Sequence, residues 1–150
     1  MITIGVIGGR KVNDKLLNIA YEAGRLIALN KAVLISGGLT GVMEAVSKGA
    51  KEAGGITVGV LPHDNKTSAN QYIDIPICTG IGFARNVIIV NTAQVLIAIG
   101  GEYSTLSEIA FALQLDKTVI GIETWDIPGI IKAQDALSAV NMAFEIANNK

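Results

Sequence analysis

Val95-Leu-Ile-Ala-Ile-Gly-Gly-Glu-Tyr-Ser-Thr-Leu-Ser-Glu-Ile-Ala-Phe-Ala-Leu113 changes its periodicity at a pair of glycines. The first five residues are all apolar and lack a helical period, the pattern of a strand buried on both faces. After Gly100-Gly101, residues Leu106, Ile109, Ala110 and Leu113 recur at helical spacing. The stretch therefore reads strand, glycine turn, helix. Such a turn allows close backbone approach, and the helix behind it aims free N–H groups at whatever occupies it. A phosphate or carboxylate suits that place. Glu108 lies in the first turns of this helix. It reads either as a carboxylate that stabilises the helix dipole or as a group of the site itself.

Outward from this stretch the same alternation repeats. Towards the N-terminus, Ile2–Ile7 is a strand, followed by Gly8-Gly9-Arg10 and by Asn13-Asp14 as a helix cap. Leu16, Leu17, Ala20, Ala23, Leu26 and Ile27 form the apolar face of a helix ending near Asn30. Ala32–Ser36 is a second strand, with a second glycine turn at Gly37-Gly38-Leu39-Thr40-Gly41. The helix marked by Val42, Ala45, Val46 and Ala50 stops near Gly54-Gly55, and Ile56–Leu61 is a third strand. His63–Asn70 is a polar loop. Tyr72–Ile77 reads as a short strand, a reading that Pro76 inside it weakens. Gly80-Ile-Gly82 turns into a helical stretch, Phe83–Ala93, apolar on more than one side. Beyond the central stretch, Lys117–Ile122 is a strand, Ile130–Ala133 an edge strand, and Asp135 caps a last helix with Ala136, Val140, Ala143 and Ile146 inward.

This alternation predicts an α/β fold: one doubly wound, Rossmann-like domain over residues 1–150, with a mostly parallel sheet of six to seven strands and helices on both faces. Ligands of such sheets bind outside the carboxyl ends of the strands, near a topological switch point. Three strand ends carry a glycine pair: Gly8-Gly9, Gly37-Gly38 and Gly100-Gly101. They read as the cradle of an extended phosphate-bearing ligand, or as tight helix–strand packing.

Composition narrows the classes. Twelve basic and 13 acidic residues leave a net charge of −1, and no basic stripe points to nucleic acid. No apolar run is long enough to span a bilayer, and no leader segment is expected. One cysteine, Cys78, excludes an internal disulfide and fits a reducing cytoplasm. Cys78 reads as a small buried hydrophobe. His63 is the only histidine. It reads as a solvated loop residue, so no protein-bound metal is expected. Neither a G-x-G-x-x-G fingerprint after the first strand nor a phosphate loop ending in G-K-[ST] is present.

Gly100-Gly101-Glu102-Tyr103-Ser104-Thr105-Leu106-Ser107-Glu108 resembles the P-G-G-x-G-T-x-x-E motif of the LOG superfamily. Ser36-Gly-Gly-Leu-Thr-Gly-Val-Met-Glu44 is similar to that superfamily's second glycine loop, and Gly82-Phe-Ala-Arg-Asn86 to its arginine segment. Within the superfamily the chain looks most like the short branch that contains molybdenum-cofactor carrier proteins. Gly100 stands where the motif has proline, and Glu102 and Ser104 stand where it has glycine. Glu102 thus sets a carboxylate beside the expected phosphate, which it opposes unless it points away.

The resemblance implies a homodimer or homotetramer that binds a phosphorylated small molecule, a nucleotide or a molybdopterin-type cofactor, with neither nucleic acid nor membrane as partner. The implied binding residues are Gly8, Gly9 and Arg10; Ser36, Gly37, Gly38, Thr40, Gly41, Val42 and Met43; and Gly100, Gly101, Glu102, Ser104 and Thr105. Its hydrolytic members cleave the N-glycosidic bond of nucleoside 5′-monophosphates, with an arginine and the motif glutamate as catalytic groups, here Arg85 and Glu108. Three functions follow as expectations: a cofactor carrier, a phosphoribohydrolase, or a nucleotide-sensing module. The lysine-decarboxylase label once given to the superfamily finds no support, because no Lys lies in a cofactor-binding context. The helix end and Arg85 are both expected to keep Glu108 ionised.

Overall fold

The computed structural model describes residues 1–149. Seven strands form one sheet, every pair parallel, in the order β4-β3-β2-β1-β5-β6-β7. The strands are β1 (Thr3–Gly8), β2 (Val33–Ser36), β3 (Ile56–Leu61), β4 (Ile75–Cys78), β5 (Val95–Ile99), β6 (Thr118–Ile122) and β7 (Ile131–Lys132). The helices are α1 (Asp14–Leu29), α2 (Val42–Glu52), α3 (Asn86–Thr92), α4 (Tyr103–Gln114) and α5 (Ala136–Asn148). The chain walks outward from β1 to β4, returns to the other side of β1 as β5, and walks out again. The direction reverses between β1 and β5, which places the switch-point crevice at their carboxyl ends.

Strand alternation divides the interior in two. Ile4 and Val6 of β1, with Val95, Ile97 and Ile99 of β5, pack under α1, α2 and α5. Ile7, Leu96 and Ala98 point the other way, beneath Ile89 and Val90 of α3 and Ile109 and Ala112 of α4. All five residues of β5 are buried, as an apolar run without period requires in a sheet covered on both faces. The expected α/β architecture, with helices on both faces, is the one observed.

Local signals place the helix ends. The Asn13 side chain accepts the Leu16 N–H at 3.0 Å at the start of α1. Asp135 and Ser138 form a reciprocal capping box at α5. The two weakest strands are the edges: β4 carries Pro76 without losing a ladder partner, and β7 is two residues long. The helical stretch expected from Phe83 divides into a 3-10 turn, Gly82–Arg85, and the α-helix Asn86–Thr92. Cys78 is a correction to the expected buried hydrophobe: it is exposed, because it ends the edge strand β4, whose residues stand exposed or half-buried. No helix among the described residues is long and apolar enough to cross a membrane.

Candidate functional site

At the carboxyl ends of β1 and β5 lies a cavity of about 640 Å³. The β1 end contributes Gly8, Gly9, Arg10 and Lys11, and the β2 end contributes Gly37 and, from α2, Met43. The segment before α3 supplies Phe83 and Arg85, and the α4 end supplies Glu102, Tyr103, Ser104, Thr105, Ser107 and Glu108. Three of its walls are therefore the strand ends marked by glycine pairs.

Arg85 is almost fully buried although it is a cation. Its Nε donates to the Val60 carbonyl at 2.8 Å and its Nη2 to the Gly37 carbonyl at 3.5 Å. Nη1 donates to Oδ1 of Asn86. A Cβ on Gly37 would stand 2.6 Å from the guanidinium, so a larger residue there would displace the end of Arg85. Carbonyl oxygens thus orient the guanidinium without neutralising it. Burial pushes the Arg85 pKa down, the Glu108 charge raises it, and Arg10 lowers it again; an arginine stays charged throughout.

Asn86 ties the two site helices together. Its Nδ2 donates to Ser104 Oγ at 3.1 Å and to Ser107 Oγ at 3.0 Å. Ser107 Oγ in turn donates to the Ser104 carbonyl at 2.7 Å. A fully buried asparagine thus holds the start of α4 against the arginine.

Glu108 departs from its expected ionisation. It is 6 % exposed and no hydrogen bond or ion pair holds its carboxyl among the described residues. Burial pushes its pKa from 4.5 up to about 8, against the lowering effect of Arg85. Desolvation wins because the guanidinium directs its donors to carbonyls and to Asn86 rather than to the carboxylate. At neutral pH Glu108 is mostly a neutral acid facing a cavity whose other deep charged group is a cation.

Helix α4 begins with no side-chain cap. The Leu106 N–H reaches the Glu102 carbonyl at 2.9 Å, and the N–H groups of Tyr103, Ser104 and Thr105 point into the first, open turn. The Trp125 Nε1 donates to the Glu102 carbonyl at 3.0 Å, and the Tyr103 and Trp125 rings stack with centroids 6.2 Å apart. Tyr103 and Phe83 stand exposed at the cavity mouth.

Not every residue expected from the sequence lines this space. Gly100 and Gly101 turn β5 into α4 with φ of 57° and 108° and lie behind the lining. Ser36, Gly38, Gly41 and Val42 form the packed underside of the second loop, and Thr40 is exposed beside it. Lys11, Phe83, Tyr103, Ser107 and Ile7 line the cavity although the sequence reading does not single them out. Lys11 directly follows Arg10, and its charge in the first loop is a readable signal. Ser107 sits one residue from Glu108 and is readable only with the helix phase in hand. Tyr103 occupies a variable motif position, and nothing local marks Phe83 or Ile7.

Comparison with known proteins adds to this geometry. The model of the SLOG cluster4 family matches residues 1–148. An uncharacterized protein of Archaeoglobus fulgidus is 49% identical over 123 residues, which is 82% of this chain and 81% of that protein. The structure of the molybdenum cofactor binding protein from the phototrophic bacterium Rippkaea orientalis superposes with a TM-score of 0.92 at 38% identity, covering 97% of this chain and 96% of that one. The molybdenum cofactor carrier protein from Chlamydomonas reinhardtii gives a TM-score of 0.88 at 35% identity, with 97% and 98% covered.

Proposed function

The chain belongs to the SLOG cluster4 family, and on that premise we propose that it binds and shields a phosphorylated ring-bearing cofactor, of molybdopterin or nucleotide type, in the β1/β5 cavity. The observation that carries this reading is the placement of Glu108 and Arg85 in the lining of one cavity without a bond between them. A nine-tenths-buried carboxylic acid without a partner faces a cavity whose other lining charges are Arg85, Arg10, Lys11 and the surface carboxylate of Glu102. With Glu108 protonated, cations dominate, and the open start of α4 adds unpaired N–H donors. That donor set fits a phosphate, and it leaves one neutral acid able to donate to, or accept from, a heteroaromatic ring edge. The likeness to molybdenum-cofactor carriers supports the same class of ligand.

In this reading Arg85, Ser104, Thr105 and the N–H groups of Glu102–Thr105 hold the phosphate. Gly8, Gly9 and Gly37 let the ligand approach the backbone. Ser36, Gly38, Gly41 and Val42 keep the second loop in shape. The cofactor, when bound, supplies the reactive group, and this chain supplies binding, orientation and exclusion of water.

A nucleoside 5′-monophosphate raises the melting temperature more than the matching nucleoside does. At a hundredfold excess over Kd the gain is about 2.7 kcal/mol, which for a chain of this size is roughly 5 °C or more. Arg85→Ala removes most of that increase. A panel of nucleotides and pterin phosphates that leaves the melting temperature unmoved overturns the reading.

A hydrolytic reading has one observation in its favour: Glu108 is protonated near neutral pH, the state a general acid needs to protonate a departing base. Glu108 would then give its proton to the leaving base, a water molecule would add at the ribose carbon, and that water's proton would return to Glu108. Release of free base from a bound monophosphate, abolished in Glu108→Gln with binding retained, selects this reading. Binding without base release selects the carrier.

We also place the chain in the cytoplasm as one domain and as a homodimer or homotetramer. Phe83 and Tyr103 are exposed and Val87 and Ile88 half-buried along one side of the α3–α4 layer, an apolar surface suited to a second copy. Light scattering that returns a monomer at micromolar concentration rejects the assembly.

A further inference from the structure

Beside the main cavity, across the loop that follows β1, runs a second groove of about 540 Å³. Arg10 and Lys11 line both spaces. The groove continues past them between the starts of α1 and α2, over Gly41 and Ala45, to Lys48 and Tyr72. Its charged lining is Arg10, Lys11 and Lys48 against the single carboxylate Glu44. None of these four takes part in an ion pair among the described residues. Lys48 is exposed on α2, with its Nζ 6.0 Å from the ring centroid of Tyr21. Three unneutralised cations along one groove raise the local concentration of anions, and low-dielectric walls focus that field.

The wall shared by the two spaces is made of the cations that an anion would follow from one to the other. We propose that the groove is a second phosphate subsite. A ligand seated in the main cavity by its ring and first phosphate extends a further phosphate over Arg10 and Lys11 towards Lys48. The ligand class is therefore a nucleoside or pterin carrying a diphosphate, terminal or bridged to a second nucleoside, rather than a monophosphate alone. This inference rests on the proposed binding cavity. It goes beyond it in assigning Lys11 and Lys48, and in setting the ligand's length. Lys48 lines the groove alone, so its substitution reports on the subsite without touching the main cavity.

The test is isothermal titration of the full chain, with divalent cations chelated, using AMP, ADP and ADP-ribose. Wild type binds ADP, ADP-ribose or both about tenfold more tightly than AMP, the sum of a few exposed charge contacts of the usual size. A gain with ADP alone assigns a terminal phosphate, and a gain with ADP-ribose assigns a bridged diphosphate. Lys48→Gln reduces the gain and Lys48→Glu abolishes it, while AMP affinity stays within about twofold of wild type. Added salt weakens the gain more than it weakens AMP binding. If AMP binds but neither diphosphate binds more tightly, or if Lys48→Glu lowers AMP and diphosphate affinity alike, the subsite is refuted and the main cavity stands. If none of the three binds, the cavity reading falls and the subsite falls with it.

Discussion

At the end of β2, Gly37-Gly38 leads into α2; at the end of β5, Gly100-Gly101 leads into α4. In the first turn the polar backbone is satisfied internally. Ser36 Oγ accepts the Gly38 N–H at 3.2 Å, and Asn70 donates to the Gly38 carbonyl at 2.9 Å and to the Leu39 carbonyl at 2.8 Å. The Val42 N–H, an orphan at the start of α2, reaches the Gly9 carbonyl at 3.0 Å. In the second turn the carbonyls are held, with Thr124 Oγ1 donating to Gly100 and Trp125 Nε1 donating to Glu102; the Gly100 N–H reaches the Ile122 carbonyl at 3.0 Å, and the N–H groups that open α4 have no partner among the described residues. Two glycine turns at the ends of strands in one sheet thus have different roles. One braces the β1 loop from behind, and the other, in the proposed reading, offers donors to a ligand. A glycine pair marks a place where backbone approaches something; whether that something is more backbone or a ligand depends on what lies opposite.

The sharpest test of the open turn is its buried acid. Glu108 holds a proton in the folded chain that the unfolded chain releases above its ordinary pKa of 4.5. Stability is therefore greatest below that value and falls as pH rises towards and through about 8. The loss is on the order of 5 kcal/mol, since each pH unit separating the folded and unfolded pKa values is worth about 1.4 kcal/mol. Urea unfolding of wild type across this window should show the decline, and Glu108→Gln should flatten it. A wild-type profile as flat as the variant's means that Glu108 is solvated or paired, and the contrast with the closed turn weakens.

The closed turn is tested at Gly41. Its φ is +68° and a Cβ would fall 2.3 Å from the Gly9 carbonyl oxygen. Gly41→Ala should cost about 3 kcal/mol in urea unfolding, through backbone strain and loss of the contact with the β1 loop. If the variant keeps its stability yet loses nucleotide binding, the second loop is a ligand loop after all and the comparison breaks.

Asn86→Ala should cost about 2 kcal/mol, because Arg85 loses an acceptor and the Ser104 and Ser107 hydroxyls lose a buried donor. It also loosens the start of α4, so monophosphate affinity should drop with stability; a stability loss at full affinity would show that α4 is positioned without Asn86. The smallest effect is expected at Glu102→Gly, which removes the carboxylate from the open turn. Monophosphate affinity should rise by about two- to fivefold in titration calorimetry, the size of one exposed charge contact. Unchanged affinity would mean that the Glu102 carboxylate points away from the bound phosphate.

Much of the fold is legible in the sequence because the sheet is parallel and covered on both faces. Such strands appear as short unbroken apolar runs, and the helices between them keep a clean period. Expectation and structure part where neither signal operates. The apolar strand around Cys78 suggests burial, but β4 is an edge strand with a sheet neighbour on one side only, and its residues stand exposed or half-buried. The period of Phe83–Ala93 suggests one helix, but its first turn tightens to 3-10 where Arg85 turns inward. In the site, the motif points to both Arg85 and Glu108, and the two do line one cavity. Tyr103, Phe83 and Ser107 line it by helix phase and loop path, which no local pattern in the sequence records.

By itself the sequence determined what depends on neighbours along the chain: strand and helix identity, the caps at Asn13 and Asp135, the glycine turns, and the acid placed beyond the end of β5. Only the tertiary structure decided what depends on neighbours across it. Which glycine turn is sealed follows from where the Gly9 carbonyl and Asn70 lie. The protonation of Glu108 follows from how much solvent is excluded around it and from Arg85 turning its donors to the carbonyls of Val60 and Gly37. Solvation energy depends on all surrounding atoms at once, and most of those atoms come from residues distant in the chain.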